Sequence, residues 1–93
     1  MITSFKHKGL QRFYEKDDKS LLPPSLVLRI SAILAVLDVA DKPEAFWAMP
    51  QYRLHKLSGD LQDFWSVKVN ANWRIIFRFS AGEAFDVDLI DYH

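Results

Sequence analysis

Apolar residues recur at helical spacing in the first half of the chain and at strand spacing in the second. Leu10, Phe13 and Tyr14 stand at i, i+3 and i+4, one face of a helix that the polar run Lys16-Asp17-Asp18-Lys19-Ser20 brings to an end. Ahead of it, Ile2 to Lys6 reads as a short first strand. A second helix starts at Pro23-Pro24, whose missing amide donors cost nothing in a first turn, and continues to about Ala40. It carries two apolar stripes: Leu26, Ile30, Ile33 and Leu37 on one side, and Leu28, Ala32, Ala35 and Val39 on roughly the opposite one. A surface helix of a small domain needs one buried stripe and a polar back, so the second stripe requires a cover, either the first helix or another chain. After Lys42-Pro43-Glu44, Phe46 and Trp47 fit a single helical turn.

Beyond that point the period is two. Trp65, Val67 and Val69 alternate with Phe64, Ser66 and Lys68; Trp73, Ile75, Phe77 and Phe79 with Arg74, Ile76 and Arg78; Phe85, Val87 and Leu89 with Asp86 and Asp88. Ser58-Gly59-Asp60, Asn70-Ala71-Asn72 and Ser80-Ala81-Gly82-Glu83 supply turn chemistry at hairpin spacing, which predicts antiparallel neighbours. The expected fold class is α+β, an N-terminal strand and two helices followed by an antiparallel β meander. No repeat or linker divides the chain, so residues 1–93 form one domain.

The absence of cysteine removes a disulfide framework and a thiolate metal site, and His7, His55 and His93 lack zinc-ligand spacing. Neither a metal nor a cofactor is expected. The first eight residues hold no apolar run of signal-peptide length, and the stretch Leu21 to Leu37 is broken by Pro23-Pro24 and Arg29, short of the ~20 residues that span a bilayer. The expectation is a cytoplasmic protein without a membrane anchor.

Twelve cations balance twelve anions, which weighs against tight binding of free nucleic acid. Their distribution changes that picture. Residues 52–78 hold five cations and two anions, whereas 79–93 hold four anions and no cation. Arg53, Lys56, Lys68 and Arg78 are the RNA-binding candidates in this basic region. Alternation puts Lys68, Arg74 and Arg78 on the face away from the tryptophans, with Asp86 and Asp88 of the same parity. Cross-strand ion pairs on a solvated face and a cationic floor for phosphate both fit this pattern. His55, in Tyr52-Arg53-Leu54-His55-Lys56, and His93, in Asp91-Tyr92-His93, add two imidazoles. Metal-free RNA cleavage needs these residue types: one group to take the 2′-hydroxyl proton, one to protonate the leaving 5′ oxygen, and cations for the phosphorane charge.

Several blocks in order resemble the HigB-like host-inhibition toxins of the RelE/ParE superfamily: Ile2-Thr3-Ser4-Phe5-Lys6-His7-Lys8-Gly9-Leu10, Tyr52-Arg53-Leu54-His55, Gly59-Asp60, Phe64-Trp65-Ser66-Val67, Ala71-Asn72-Trp73-Arg74-Ile75 and Asp91-Tyr92-His93. The resemblance implies a microbial-ribonuclease-like β-α-α-β-β-β domain, cleavage of messenger RNA in the ribosomal decoding site, and neutralisation by an antitoxin with a DNA-binding helix-turn-helix, through which alone DNA is met. It nominates His55, Arg74, Asp91, Tyr92 and His93 as catalytic. Residue chemistry then assigns the roles: His93, an imidazole able to carry a proton near neutrality, as general acid, Arg74 as holder of the scissile phosphate, Tyr92 and Asp91 as groups that place the tail. One departure stands out. Many relatives read His-Pro-Leu-Lys-Gly-Asp where this chain reads His55-Lys56-Leu57-Ser58-Gly59-Asp60, so Ser58 occupies the position of the family's catalytic lysine. Strand parity nominates Lys56 as the substitute, its stem spanning one two-residue step of about 6.8 Å. The same fold also admits a catalytically silent, ParE-like binding toxin, or a decayed toxin kept only as an antitoxin ligand.

Overall fold

The computed structural model describes residues 1–91. Its first helix, α1 (Lys8–Lys16), is fixed at both ends. His7 caps the start, its Nδ1 accepting from the Leu10 amide at 3.2 Å. Asp17, in the left-handed region at φ 54, closes the end: the Asp17 and Asp18 amides donate to the Phe13 and Arg12 carbonyls at 3.0 and 3.3 Å. Gly9 lets this helix lie against the following loop, because a Cβ there would sit 2.9 Å from the His7 imidazole and 3.0 Å from the Leu21 carbonyl oxygen.

A 3-10 turn, Pro24–Leu26, leads into α2 (Val27–Val39). Leu26, Ile30, Ile33 and Leu37 are buried and share one core with Val67, Ile75, Phe77, Val87 and Leu89 of the sheet. The other stripe has no cover among the described residues: Leu28 is 86% and Val39 79% exposed, and Ala32 and Ala35 are exposed with them. Helix α1 meets the Leu34–Asp38 edge of α2, where the Tyr14 hydroxyl donates to the Asp38 carboxylate. Phe46, in the 3-10 segment Pro43–Ala48, plugs the core between α2 and the sheet, with the Tyr52 ring edge-on at 5.5 Å and Phe77 at 6.1 Å.

The sheet is the expected antiparallel meander. Strands β1 (His55–Lys56), β2 (Trp65–Lys68), β3 (Trp73–Ser80) and β4 (Glu83–Asp91) lie side by side in chain order. Two details of the sequence reading change. Ile2 to Lys6 forms no strand; it makes two isolated parallel bridges, Ile2 with Ala84 and Phe5 with Val87. The cause is a bulge in β4. Between the pairs Ile76–Asp88 and Arg78–Phe85 the register advances two residues on β3 and three on β4, and Asp86 adopts φ 52. A bulged partner breaks the ladder that a neighbouring strand would need. The same bulge removes Phe85 from the expected core row with Val87 and Leu89. Phe85 is half-buried beneath the Arg78 guanidinium, 5.0 Å from ring centroid to Cζ, and Ala84 takes the core position.

Candidate active site

Strand pleating sends alternate residues to opposite faces, so the face turned away from the Val67-Ile75-Leu89 row carries two other rows. One runs His55, Ser66, Ile76, Asp88, and its neighbour runs Lys68, Arg74, Ile90.

His55 is exposed on the edge strand, and its Nδ1 lies 3.1 Å from the Arg53 carbonyl oxygen. With the proton on Nδ1 the ring donates to that carbonyl, and Nε2 is left as an acceptor. Arg53 itself, at φ 48, forms the corner that leads into β1. Arg74 is half-buried and anchored by Nη1, which donates to the Asn70 carbonyl at 2.7 Å and the Trp73 carbonyl at 3.1 Å. The Asn70 side chain builds that turn by accepting from the Asn72 and Trp73 amides, both at 2.9 Å. Arg29 of α2 ties down the same turn, donating to the Val69 carbonyl at 2.9 Å. The Arg74 guanidinium is therefore held by a braced turn. Lys68 is its direct cross-strand neighbour.

The remaining candidates are more dispersed. Asp91 pairs across from Trp73, next to the Arg74–Ile90 pair, and ends the described chain. Tyr92 and His93 lie outside the described residues. Arg78 is engaged by Asp86 at 3.3 Å and by the Phe85 ring, so at that end of the face the cross-strand ion pair forms. Lys56 is not brought to His55. It belongs to the Trp65 row on the opposite face, with its ammonium 5.1 Å from the Trp65 ring centroid. Strand β1 ends at Lys56 and Ser58 already flanks the 3-10 turn Gly59–Leu61, so strand parity does not extend from one to the other.

Ser66 is the residue that sequence reasoning passed over. It stands between His55 and Ile76, is fully buried, and its hydroxyl has no hydrogen-bond partner among the described residues. Its only signal was a small polar residue set between the apolar Trp65 and Val67. No group of three His, Asp or Glu side chains among the described residues is placed to hold a metal ion, and no described helix is long and apolar enough to cross a membrane. The face thus combines one imidazole with an acceptor nitrogen and, two strands across and two residues along, Arg74 with Lys68 as its cross-strand neighbour. That set can move a proton and hold an anion.

The family model for the RelE-like toxin of the HigB type II toxin–antitoxin system matches residues 3–93. The chain belongs to the HigB-like toxin family. Endoribonuclease HigB from Proteus vulgaris is 43% identical over 93 residues, all of both chains. Toxin HigB-1 from Vibrio cholerae serotype O1 is 33% identical over 90 residues, 96% of this chain and 95% of the relative. Among solved structures, a point mutant of YafQ from E. coli superposes with a TM-score of 0.61 at 11% identity, covering 98% of this HigB-like chain and 93% of that one. A YoeB/ParE toxin from Agrobacterium tumefaciens gives 0.53 at 16% identity, over 100% and 99%. These likenesses establish the RelE-like α+β fold, and membership of a type II toxin family brings with it an antitoxin partner.

Proposed function

We propose that this HigB-like toxin is an endoribonuclease that cuts messenger RNA in the ribosomal decoding site, in the cytoplasm, and is kept silent by its helix-turn-helix antitoxin. A full-length relative that carries the name endoribonuclease supports the reaction class. The observation that carries the chemistry is the His55 ring, tethered through Nδ1 to the Arg53 carbonyl and standing on the same sheet face as Lys68 and Arg74.

In this reading His55 Nε2 takes the proton of the 2′-hydroxyl, and the 2′ oxygen attacks the adjacent phosphorus. Arg74 and Lys68 hold the added negative charge of the phosphorane, and His93 gives a proton to the departing 5′ oxygen. The products are a 2′,3′-cyclic phosphate and a free 5′-hydroxyl. Asp91 and Tyr92 place the His93 end of the chain, while Arg53 and Arg78 lie along the RNA path. Ribosome dependence follows from charge, because a chain of net charge zero lacks the counterion-release drive that holds naked RNA at physiological salt.

Primer extension on a ribosome-bound messenger, with and without the purified chain, tests the proposal. New 5′ ends at codon boundaries are expected. Growth arrest without any new end would instead assign the chain to the non-catalytic, ParE-like class.

A further inference from the structure

We propose that the crevice between α1 and α2 anchors the antitoxin, and that it takes an arginine or lysine side chain projecting from an apolar segment of that partner. The proposal rests on the type II toxin assignment and adds to it the place and chemistry of the contact.

The crevice, about 220 Å³, has an apolar floor of Phe13 and Leu34, the exposed Ala35 at its edge, and a polar rim of Tyr14, Asp17 and Asp38. None of the described cations lines it. Arg12 pairs with Asp18 and Arg78 with Asp86, and among the described residues neither Asp17 nor Asp38 has a cationic partner; Asp38 accepts from the neutral Tyr14 hydroxyl. Two carboxylates at the mouth of an apolar slot match a side chain with a long aliphatic stem and a charged end, since the stem covers Phe13 and Leu34 while the cation meets both acids.

The surroundings point to a protein bearing that side chain. Ala35 belongs both to the crevice and to the uncovered stripe of α2, so the slot continues directly into Leu28, Ala32 and Val39. An occupant of the slot that also carries apolar side chains would cover the stripe that the fold leaves bare. A second copy of this chain fits poorly. A two-fold interface brings the same patch from both copies together, and here that would set two pairs of carboxylates face to face. The surface also lies on the helix side of the sheet, away from the His55 and Arg74 rows, so it can be altered without touching the candidate active site.

Calorimetric titration of the purified toxin with its cognate antitoxin tests the proposal. The pair Asp17→Asn and Asp38→Asn keeps an acceptor for Tyr14 but removes both charges; it should weaken binding about tenfold or more and flatten its dependence on salt. Ala35→Lys places an ammonium of the toxin's own at the slot and should weaken binding by about 100-fold. Tyr14→Phe keeps both carboxylates and should leave affinity within about twofold. Antitoxin-free cleavage of each variant should match wild type, and each should unfold in one cooperative transition, at a somewhat lower midpoint where the Tyr14–Asp38 tie is altered; if an aspartate variant fails to fold, Ala35→Lys alone still decides. Should the wild-type chain cut no RNA while these affinities change as stated, the nuclease reading fails and the docking site stands. Unchanged antitoxin affinity in the folded aspartate and Ala35→Lys variants, or self-association of the toxin through this face, would overturn the proposal.

Discussion

His55 and His93 carry the proposed proton transfers, and each should be worth what a positioned acid or base is worth. Replacing either by alanine is expected to slow single-turnover cleavage of ribosome-bound messenger by about 10²–10⁴, with antitoxin affinity and fold unchanged. A wild-type rate in His55→Ala would remove the general base from the scheme. Ser66 makes a different prediction. A buried hydroxyl without a partner costs about 1–3 kcal/mol, so Ser66→Ala should raise the urea midpoint, and a lower midpoint would mean the hydroxyl is satisfied in solution. Lys56 shows where residue-level reading from sequence stops. Counting parity through Ser58 assumed a strand that in fact ends after two residues, and the lysine ammonium lies over the Trp65 indole on the other face. By contrast, Lys68 and Arg74 were legible as outward cations because the period-two pattern runs unbroken through both of their strands.

Among the elements, α1 offers a test in which two effects oppose. Alanine is favoured over glycine within a helix by about 1 kcal/mol, but at Gly9 the added Cβ meets the His7 ring and the Leu21 carbonyl. Overpacking of this kind costs about 1–3 kcal/mol, so Gly9→Ala should lower stability despite its better propensity, and a higher thermal midpoint would contradict the packing described. The tie between the helices should depend on pH. Donation to Asp38, then burial and the carboxylate's charge, hold the Tyr14 phenol above its ordinary 10.0. A folded-state pKa raised in this way contributes stability that is complete below pH 10.0 and lost as pH rises through the raised value. Urea unfolding on both sides of that window should show a smaller alkaline loss in Tyr14→Phe than in wild type. The helices and the meander could be read from period and turn residues, since each rests on local pattern. The bulge could not: one extra residue in β4 leaves the alternation of Phe85, Val87 and Leu89 intact on paper, and the positive φ that relocates Phe85 falls on an aspartate, not on a glycine.

Across the whole molecule, the sheet divides two tasks. Its outer face gathers His55, Lys68 and Arg74, while the helices on the other side present an apolar, acid-rimmed surface. On the proposed reading, that division lets a chain with twelve cations and twelve anions act on RNA: Lys68 and Arg74 stand on the face assigned to the substrate, and the ribosome is assigned the rest of the guidance. The family was legible from sequence because its blocks run through nearly the whole chain. The free side of α2 was legible only as a stripe in need of a cover, because none of the described residues completes it. Whether the ribosome is part of the active enzyme can be read from cleavage of one messenger at physiological salt, measured free in solution and bound to translating ribosomes. Efficient cutting of the bound messenger and little of the free one is expected; equal rates on both would contradict ribosome dependence.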